Sequence, residues 1–460
     1  MMTADEIEMS PPSAPAPASA PAVHISEERP SFFQSALCTR IYLFTALAIF
    51  VLLLGVPLGL AGGSELLEEH RATDHSSTHP HPRQAFVFRH CVRTAASEVK
   101  HGVAALGTSP SNYTSVPLPA WGVPTYHCTA GGTELVERTG ADLRSRFVPD
   151  AASVAVFADG GITNARCQTS ARAMLRGMGR DEDSLTIDAA VFDTLDPDNN
   201  SVPLCTQRFT DADELAAVRA RLDIVAQPSA TSTAIQLFAK YLGPLVSSWT
   251  QGAGLFTLDE NGTLIGGIRA FKLFSQIIFY AFASGIHQPG LLQQPTVNEL
   301  YQLIAWQHYC RSIGDMGPEK AVANLALLHR VLGALSDGSE DAADASFFWG
   351  HDGNLDGFAM LLNTSWAAPP YLGGESYVPT PPGSGLRFEL DQATGSLDVS
   401  FVYPVYTQAG SGPAMVNSSG ILEQTPIMST TLTALRERVM RVMEGIPGAL
   451  ECYGRVAMKG

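Results

Sequence analysis

Apolar and polar residues along this chain follow two spacings, one typical of strands and one typical of helices. The segment AFVF at 85–88 is a short continuous apolar run, and SVAVFADG at 153–160 and SFFWGHDG at 346–353 share its character; such runs predict buried strands. TAGGTELVERTGADLRSRF at 129–147 and TSARAMLRGMG at 169–179 place apolar residues at helical spacing, and the second segment ends in glycine. We therefore expect alternating strands and helices here.

Helical spacing continues without clear strand alternation from about residue 210 to 335. Two strand-like segments, LRFEL and LDVSFVYPVY, follow this block, and STTLTALRERVMRVMEGI predicts a last helix. A helix is also expected at 94–106 and a strand at 186–194. Because strands flank the helical block, the expected fold class is α/β, with a parallel-rich sheet, helices on both faces and an inserted, mainly α-helical subdomain. The expected boundaries are 85–209, 210–335 and 336–460 for the first sheet part, the helical insertion and the second sheet part.

A long uncharged segment lies near the N-terminus, at 41–63. It has enough apolar residues to span a bilayer as a helix. A cleavable signal peptide has a shorter apolar core and begins nearer the N-terminus, so we favour an uncleaved anchor, although Gly59-Leu60-Ala61 resembles a cleavage site. Arg40 precedes the segment, and Glu65 and Glu68 follow it. This charge bias predicts a cytoplasmic N-terminus and an extracellular or lumenal C-terminal part.

The segments beside the predicted anchor have different compositions. Residues 1–40 are rich in Pro, Ala and Ser, which predicts a disordered cytoplasmic tail. Residues 64–84 are expected to form a polar stalk, whose histidines lack the regular spacing of a metal site. N-x-[ST] sequons begin at Asn112, Asn199, Asn261, Asn363 and Asn417, all beyond the anchor. The expectation is a single-pass type II membrane glycoprotein at the cell surface or in endolysosomes.

Charge and cysteine content narrow the function classes. The 460-residue chain has a formal net charge of −16, which argues against binding to nucleic acid. Six cysteines lie beyond the predicted anchor, at Cys91, Cys128, Cys167, Cys205, Cys310 and Cys452. An oxidising compartment permits disulfides among them, and the sequence leaves their connectivity open.

Candidate chemistry follows two of the predicted strands. Arg89, His90 and Arg93 come at the end of the first strand, and His351 and Asp352 come at the end of a late one. Ligands of open α/β sheets bind at the carboxyl ends of strands, and guanidinium groups match phosphate oxygens. A histidine between such arginines can attack phosphorus, and a carboxylic acid can protonate a leaving alcohol. These residue types predict a phosphoryl-transfer site.

In this order, FRHCVRTA and WGHDGN resemble the RHGxRxP and late HD signatures of the histidine acid phosphatase family, branch two of the histidine phosphatase superfamily. CTAGG at 128–132 resembles the LTPxG helix of that family, and ARCQTSARAMLRGM resembles the segment of its third arginine. GHDGNLDGFAML and TPPGSGLRFEL are similar to the bacterial phytase and glucose-1-phosphatase subgroup. The resemblance spans about residues 85–455 and is sharp only in these motifs.

The resemblance implies a phosphatase that needs no metal or organic cofactor. His90 would be the nucleophile and form a phosphohistidine, and Asp352 would protonate the leaving oxygen. The phosphoryl oxygens would be bound by Arg89, Arg93, Arg166 and His351. The bacterial subgroup further implies a disulfide between Cys205 and Cys452. The partner would be a small phosphomonoester, and the sequence does not indicate an oligomeric state.

This chain departs from the family pattern at several positions. Cys91 replaces the glycine of RHG, Ala95 replaces the proline, and Cys167 stands where threonine is usual. Cys91 is either a tolerated small residue, or part of a structural disulfide to Cys128 or Cys167 beside the pocket, or the mark of a weakly active or non-catalytic ectodomain that binds a phosphorylated ligand. Residues 96–98 are Ala-Ser-Glu, without the basic residues of phytate specialists, so small monoesters are favoured over phytate.

Overall fold

The structure is a computed structural model. It describes residues 82–95, 113–161, 164–196, 199–203, 228–250, 257–258, 264–265, 267–286, 291, 294–314, 317–337, 339, 342–371, 378–406 and 421–459. The predicted tail and anchor, nearly all of the stalk, and the helix expected at 94–106 beyond residue 95 fall outside these ranges. Among the described helices, none has the length and apolarity that a bilayer crossing requires.

The described strands and helices alternate at both ends of the chain. The strands are β1 (Arg83–Arg89), β2 (Val154–Ala158), β3 (Leu185–Ile187), β4 (Leu195–Asp196), β5 (Asn199–Pro203), β6 (Thr257–Leu258), β7 (Leu264–Ile265), β8 (Ala345–Gly350), β9 (Gly385–Leu390), β10 (Ser396–Pro404) and β11 (Leu422–Thr431). The helices are α1 (Ala130–Arg146), α2 (Ala165–Met178), α3 (Ala189–Asp193), α4 (Pro228–Leu242), α5 (Gly267–Ala283), α6 (Val297–Gly314), α7 (Pro318–Ala323), α8 (Leu325–Ser336), α9 (Asp352–Leu361), α10 (Leu432–Glu444) and α11 (Ala449–Lys459).

A seven-stranded sheet forms the centre of the fold, in the order β11-β10-β9-β1-β8-β2-β3. Strands β1, β8, β2 and β3 pair in parallel. Strands β9, β10 and β11 extend the sheet from β1 in antiparallel pairs. The parallel half therefore has its carboxyl ends at one edge, where ligands of such sheets bind.

Helices cover both faces of the sheet, as its apolar strands require. Trp349 of β8 donates from Nε1 to the sulfur of Met174 in α2, at 3.4 Å. Phe348, the preceding residue, lies against a cavity that α8 lines with His329. Successive residues of a strand point to opposite faces, so α2 and α8 cover opposite sides. The α/β fold class with two helical layers is confirmed.

Two glycines let α1 and α2 pack with their backbones in contact. A Cβ on Gly140 would lie 2.2 Å from the carbonyl oxygen of Met174, and a Cβ on Gly177 would lie 1.8 Å from that of Glu137. Real Cβ atoms do not approach so closely, so any side chain at either position would force the helices apart. This close contact fixes α2, which carries Arg166, against the rest of the fold.

The inserted subdomain has the predicted helical character, with helices α4 to α8 between β3 and β8. The short β6–β7 hairpin within it was not expected. The segment 186–194, predicted as a strand, is in fact the end of β3 followed by α3. Asp188 ends the strand because its side chain accepts from the backbone nitrogens of Ala190 and Val191 and so caps a helix. The domain boundaries stay predictions.

Candidate active site

Three adjacent parallel strands deliver the polar residues of the site to one edge of the sheet. His90 directly follows β1, His351 follows β8, and Asp159 follows β2. Backbone bonds tie the three strand ends together, because His90 N donates to Gly350 O at 2.9 Å and Asp159 N donates to Trp349 O at 3.1 Å. The imidazole centroids of His90 and His351 are 5.4 Å apart. Residues more than 250 positions apart in sequence thus form one site.

Arg89 is the last residue of β1, and its side chain is fully buried. Its Nη2 donates to the hydroxyl oxygen of Tyr280 at 2.6 Å, and its Nη1 donates to the carbonyl of Thr380. Nη2 also lies 3.2 Å from Oδ2 of Asp352. The guanidinium is therefore fixed by an inserted helix, a loop and the start of α9 at once.

His90 is buried, and its hydrogen bonds determine its tautomer. Nδ1 lies 2.8 Å from the carbonyl oxygen of Cys91. A carbonyl only accepts, so Nδ1 carries the proton and Nε2 keeps a lone pair. Burial, followed by the charge of Arg166, lowers the pKa of His90 well below its usual value. His90 therefore stays neutral, with Nε2 available as a nucleophile, at mildly acidic pH.

Arg93 and Arg166 lie against aromatic rings. The guanidinium carbon of Arg93 is 5.1 Å from the ring centroid of Tyr126 and 5.9 Å from that of Tyr280. The guanidinium of Arg166 is 5.7 Å from the Tyr126 ring. Arg166 also donates from Nη2 to Nδ1 of His351 at 3.2 Å. Both arginines thus reach the same region as Arg89, and all the phosphate-binding residues predicted from the sequence are brought together.

Asp159 orients His351 and was not identified from the sequence. Its Oδ2 lies 2.9 Å from Nε2 of His351 and accepts from Nδ2 of Asn164 at 2.7 Å, while Oδ1 accepts from the Gly161 nitrogen. Burial raises the pKa of Asp159, but these hydrogen bonds, led by that of His351, outweigh it and lower the pKa. An ionised Asp159 holds the proton of His351 on Nε2. The signal was present in SVAVFADG, a predicted strand that ends in an aspartate.

Asp352 begins α9, and 29% of its side chain is exposed. Burial raises its pKa, but the charges of Arg89 and Arg311 outweigh this effect and hold the pKa of Asp352 well below its usual value. Asp352 is therefore a carboxylate when no anion occupies the site. Arg311 itself lies behind α9 and donates from Nε to Asp356 at 2.6 Å.

Three groups in this site are close enough to share a metal ion, since ligand atoms of Asp159, Cys167 and His351 lie within 4.8 Å of one another. Sγ of Cys167 is 3.6 Å from Nε2 of His351. Burial, followed by the charge of Asp159, raises the pKa of the Cys167 thiol well above its usual value, whereas metals bind the thiolate. These groups are better described as a hydrogen-bonded support for His351.

The cysteine after the nucleophile forms a disulfide with Cys128. This is one of the two pairings expected for Cys91, and Cys167 does not take part in it. Cys452 is also disulfide-bonded, but Cys205 lies outside the described residues, so the expected Cys205–Cys452 pair stays a prediction. Cys310 is buried in α6.

The fold is that of bacterial phytases. The Hafnia alvei phytase in complex with myo-inositol hexakis sulphate is 19% identical, with a TM-score of 0.61, over 79% of this chain and 96% of that chain. The Citrobacter braakii phytase is 19% identical, with a TM-score of 0.59, over 79% and 98%. The Klebsiella sp. ASR1 phytase is 15% identical, with a TM-score of 0.61, over 79% and 94%. No protein-family model and no curated protein sequence matches the chain.

These structural likenesses confirm the fold that the motif resemblance implied. At such low identity they say nothing about individual side chains, so the roles assigned to the site residues stay predictions. The geometry of this chain is the independent support for those roles.

Proposed function

We propose that this protein is a histidine acid phosphatase that hydrolyses small phosphomonoesters through a phosphohistidine at His90. The observation that carries the proposal is the convergence of a neutral histidine, three arginines and a carboxylate at the carboxyl ends of β1, β8 and β2. Charges placed where a phosphoryl transition state develops are the main requirement for phosphoryl transfer.

The arginines supply the phosphate-binding charge. Arg89, Arg93 and Arg166 are held by hydrogen bonds and aromatic rings before any ligand binds. A phosphomonoester would accept hydrogen bonds from their guanidinium edges. His351 accepts from Arg166 through Nδ1, and its ring would reorient as Arg166 turns toward the phosphate. Such pre-organised donors cost little reorganisation during the reaction.

The first chemical step would be attack by Nε2 of His90 on phosphorus. The bond from phosphorus to the ester oxygen breaks as the bond from Nε2 to phosphorus forms. Asp352, protonated at acidic pH, would give its proton to the leaving oxygen, so an alcohol departs rather than an alkoxide. The product is a phosphohistidine and an ionised Asp352.

The second step would return the enzyme to its starting state. Asp352 would take a proton from water, whose oxygen attacks phosphorus and displaces Nε2 of His90. Inorganic phosphate then leaves. The pKa of Asp352 is low because the charges of Arg89 and Arg311 act on its carboxylate. A bound phosphate would oppose those charges and raise the pKa, which makes the acid competent when substrate is present.

The alternative function is that of a non-catalytic ectodomain. It rests on Cys91, which stands where the family signature has glycine. In the structure this residue is buried in a disulfide, while its backbone carbonyl fixes the reactive tautomer of His90. Cysteine at this position is therefore compatible with the proposed chemistry. Phosphate release by the full-length protein and by His90→Ala separates the hypotheses. Activity in the wild type alone supports the phosphatase; phosphate binding without turnover supports the alternative.

Small monoesters are the proposed substrates. The net charge of −16 and the Ala-Ser-Glu sequence at 96–98 provide little electrostatic attraction for a ligand with many phosphates. The solved relatives named above are phytases, so phytate is the comparison that matters. A sugar monophosphate and an aryl phosphate should be hydrolysed with higher kcat/KM than phytate at pH 5. A preference for phytate would contradict this substrate class.

We also propose that a helix at 41–63 anchors the phosphatase on the extracellular or lumenal side of a membrane. Its support is the uncharged segment, the charge bias beside it and the sequons beyond it. Asn363 is exposed, as a glycosylated asparagine must be. In a eukaryotic host, glycosidase should lower the apparent mass, and Asn363→Gln should remove part of that shift. An unglycosylated chain facing the cytosol would contradict the topology.

A further inference from the structure

Tyr126 has a backbone conformation that tyrosine rarely adopts. Its φ is 65°, in the left-handed region that favours glycine and costs other residues on the order of 1 kcal/mol or more. Such conformations persist where the surrounding structure enforces them, and they concentrate at functional sites.

The segment 124–129 is bound tightly to the residues that follow His90. The Tyr126 nitrogen donates to Oγ1 of Thr94 at 2.7 Å, and that hydroxyl donates to the Pro124 carbonyl at 3.2 Å. The backbone nitrogen of Thr94 donates to His127 O at 3.1 Å. The Cys91–Cys128 disulfide adds a covalent link between the same two segments. Together these bonds hold Tyr126 in its unfavourable conformation.

The result is a ring placed close to two arginines. The Tyr126 ring contacts both Arg93, at 5.1 Å, and Arg166, at 5.7 Å. Tyr280 contacts Arg93 and the third arginine, Arg89. Its ring centroid is 5.9 Å from the guanidinium carbon of Arg93, and its hydroxyl accepts from Arg89 at 2.6 Å. Tyr126 and Tyr280 together thus contact all three phosphate-binding arginines.

We propose that Tyr126 is a positioning residue that, with Tyr280 on Arg93, holds Arg93 and Arg166 ready for a phosphate without neutralising them. Like charges confined in a buried space repel one another, so the arginines need a partner. A carboxylate would hold a guanidinium but cancel its charge, whereas the face of an aromatic ring attracts a cation and carries no net charge. In the described part of the chain, Arg93 makes no ion pair, which fits this arrangement.

The Cys91–Cys128 disulfide is one of several bonds that hold the segment of Tyr126. The cysteine at 91 supplies one half of the link to 128, two residues from Tyr126. The inference rests on the proposed phosphatase function for its turnover readout, but not for its binding readout, because inorganic phosphate binding requires only the arginines.

Three substitutions of the full-length protein test the role. Tyr126→Leu removes the aromatic face, and we expect it to weaken phosphate binding, measured by calorimetry at pH 5, by about tenfold. Its kcat/KM for an aryl phosphate should fall at least as much. Tyr126→Phe keeps the ring and should restore most of both. Tyr113→Leu, which removes a half-buried ring that packs on Trp249, is the matched control and should leave phosphate binding unchanged.

Tyr126→Gly separates positioning from stability. Glycine suits a φ of 65°, so this variant should melt at or above the wild-type temperature while binding phosphate as weakly as Tyr126→Leu. Wild-type phosphate affinity in Tyr126→Leu, or a loss confined to melting temperature, overturns the positioning role and leaves the phosphatase proposal intact. If the wild type binds phosphate but does not hydrolyse esters, and Tyr126→Leu binds weakly, the phosphatase proposal falls and the positioning role stands. A wild type that binds no phosphate overturns both.

Discussion

Nη2 of Arg89 lies 3.2 Å from Oδ2 of Asp352. This contact joins a proposed phosphate-binding group to the proposed acid. Because Arg89 is fully buried, water screens its charge only weakly, and with Arg311 it holds the pKa of Asp352 well below the usual value. We therefore expect Asp352 to act as an acid when a bound phosphate competes for Arg89, which would couple substrate binding to proton donation.

The role of Asp352 predicts a dependence on the leaving group. Asp352→Asn should lower kcat for an alkyl phosphate by about 10²-fold or more, because general-acid help matters most for a basic alkoxide. The loss for nitrophenyl phosphate should be much smaller, since nitrophenolate leaves without a proton. Steady-state kinetics on both esters at pH 5 measure the contrast. Equal losses would remove Asp352 from the role of acid.

The hydrogen bond from His351 to Asp159 predicts an effect of a residue that does not touch substrate. Asp159→Asn should lower kcat by on the order of tenfold to a hundredfold, because an amide no longer selects the tautomer of His351. The pH profile should shift as well, which a merely structural role would not produce. Asp150→Asn, at an exposed ion pair with Arg144, is the control. An unchanged pH profile in Asp159→Asn would contradict this assignment.

The disulfide beside the nucleophile should contribute stability more than chemistry. It closes a loop with a sequence separation of 37 residues, for which chain entropy predicts about 4 kcal/mol. The double variant Cys91→Gly, Cys128→Ser should therefore melt well below the wild type and yet retain most of its turnover, because the Thr94 bonds to the segment 124–129 remain.

This comparison uses variants rather than reductant, because Cys452 is also disulfide-bonded and would respond to reduction. Thermal melts without reductant, beside an ester assay at low temperature, give both quantities. A large gain of activity in the double variant would instead show that the cysteine had silenced the site. A melting temperature equal to that of the wild type would show that the link adds no stability.

Two buried histidines predict how stability depends on pH. Burial lowers the folded-state pKa of His90 and His308 well below the usual value, so both bind protons more readily when unfolded. Their contribution to stability is complete above about pH 6.5 and is lost as the pH falls toward the folded values. Each histidine that titrates in this way costs up to about 1.4 kcal/mol per pH unit.

The melting temperature should therefore fall between pH 7 and pH 5. His90→Asn should make this decline shallower, whereas His127→Asn, at an exposed position, should leave it unchanged. Calorimetric melts across that range supply the test. A slope in His90→Asn as steep as in the wild type would mean that His90 is not held neutral by the fold.

Local patterns predicted much of the fold. Buried runs such as AFVF and SFFWG became β1 and β8 because a strand covered on both faces has to be apolar throughout. The segment 186–194 was misassigned because an aspartate cap within an apolar stretch ends a strand early. β11 was not predicted because it is half exposed and lacks a clear alternation of apolar and polar residues. α11 was not predicted either.

The candidate site was predicted as far as its motifs reach. His90, Arg89 and Asp352 stand in short, ordered signatures, and the structure brings them together. Tyr126 and Tyr280 carry no such signature, because their importance arises from contacts between segments far apart in sequence. The sequence left Cys91 two possible disulfide partners, Cys128 and Cys167. The structure selects Cys128, whose backbone forms a bridge with that of Arg93, two residues after Cys91.

The most direct test of the account is the covalent intermediate. The full-length protein is mixed with an aryl phosphate that carries a labelled phosphoryl group, quenched in alkaline denaturant, and examined for label on the chain. We predict label on the wild type that survives alkali and is lost in acid, as a phosphohistidine requires, and no label on His90→Ala. Turnover by the wild type with no trapped label, or label that persists in His90→Ala, would contradict the assignment of His90 as the nucleophile.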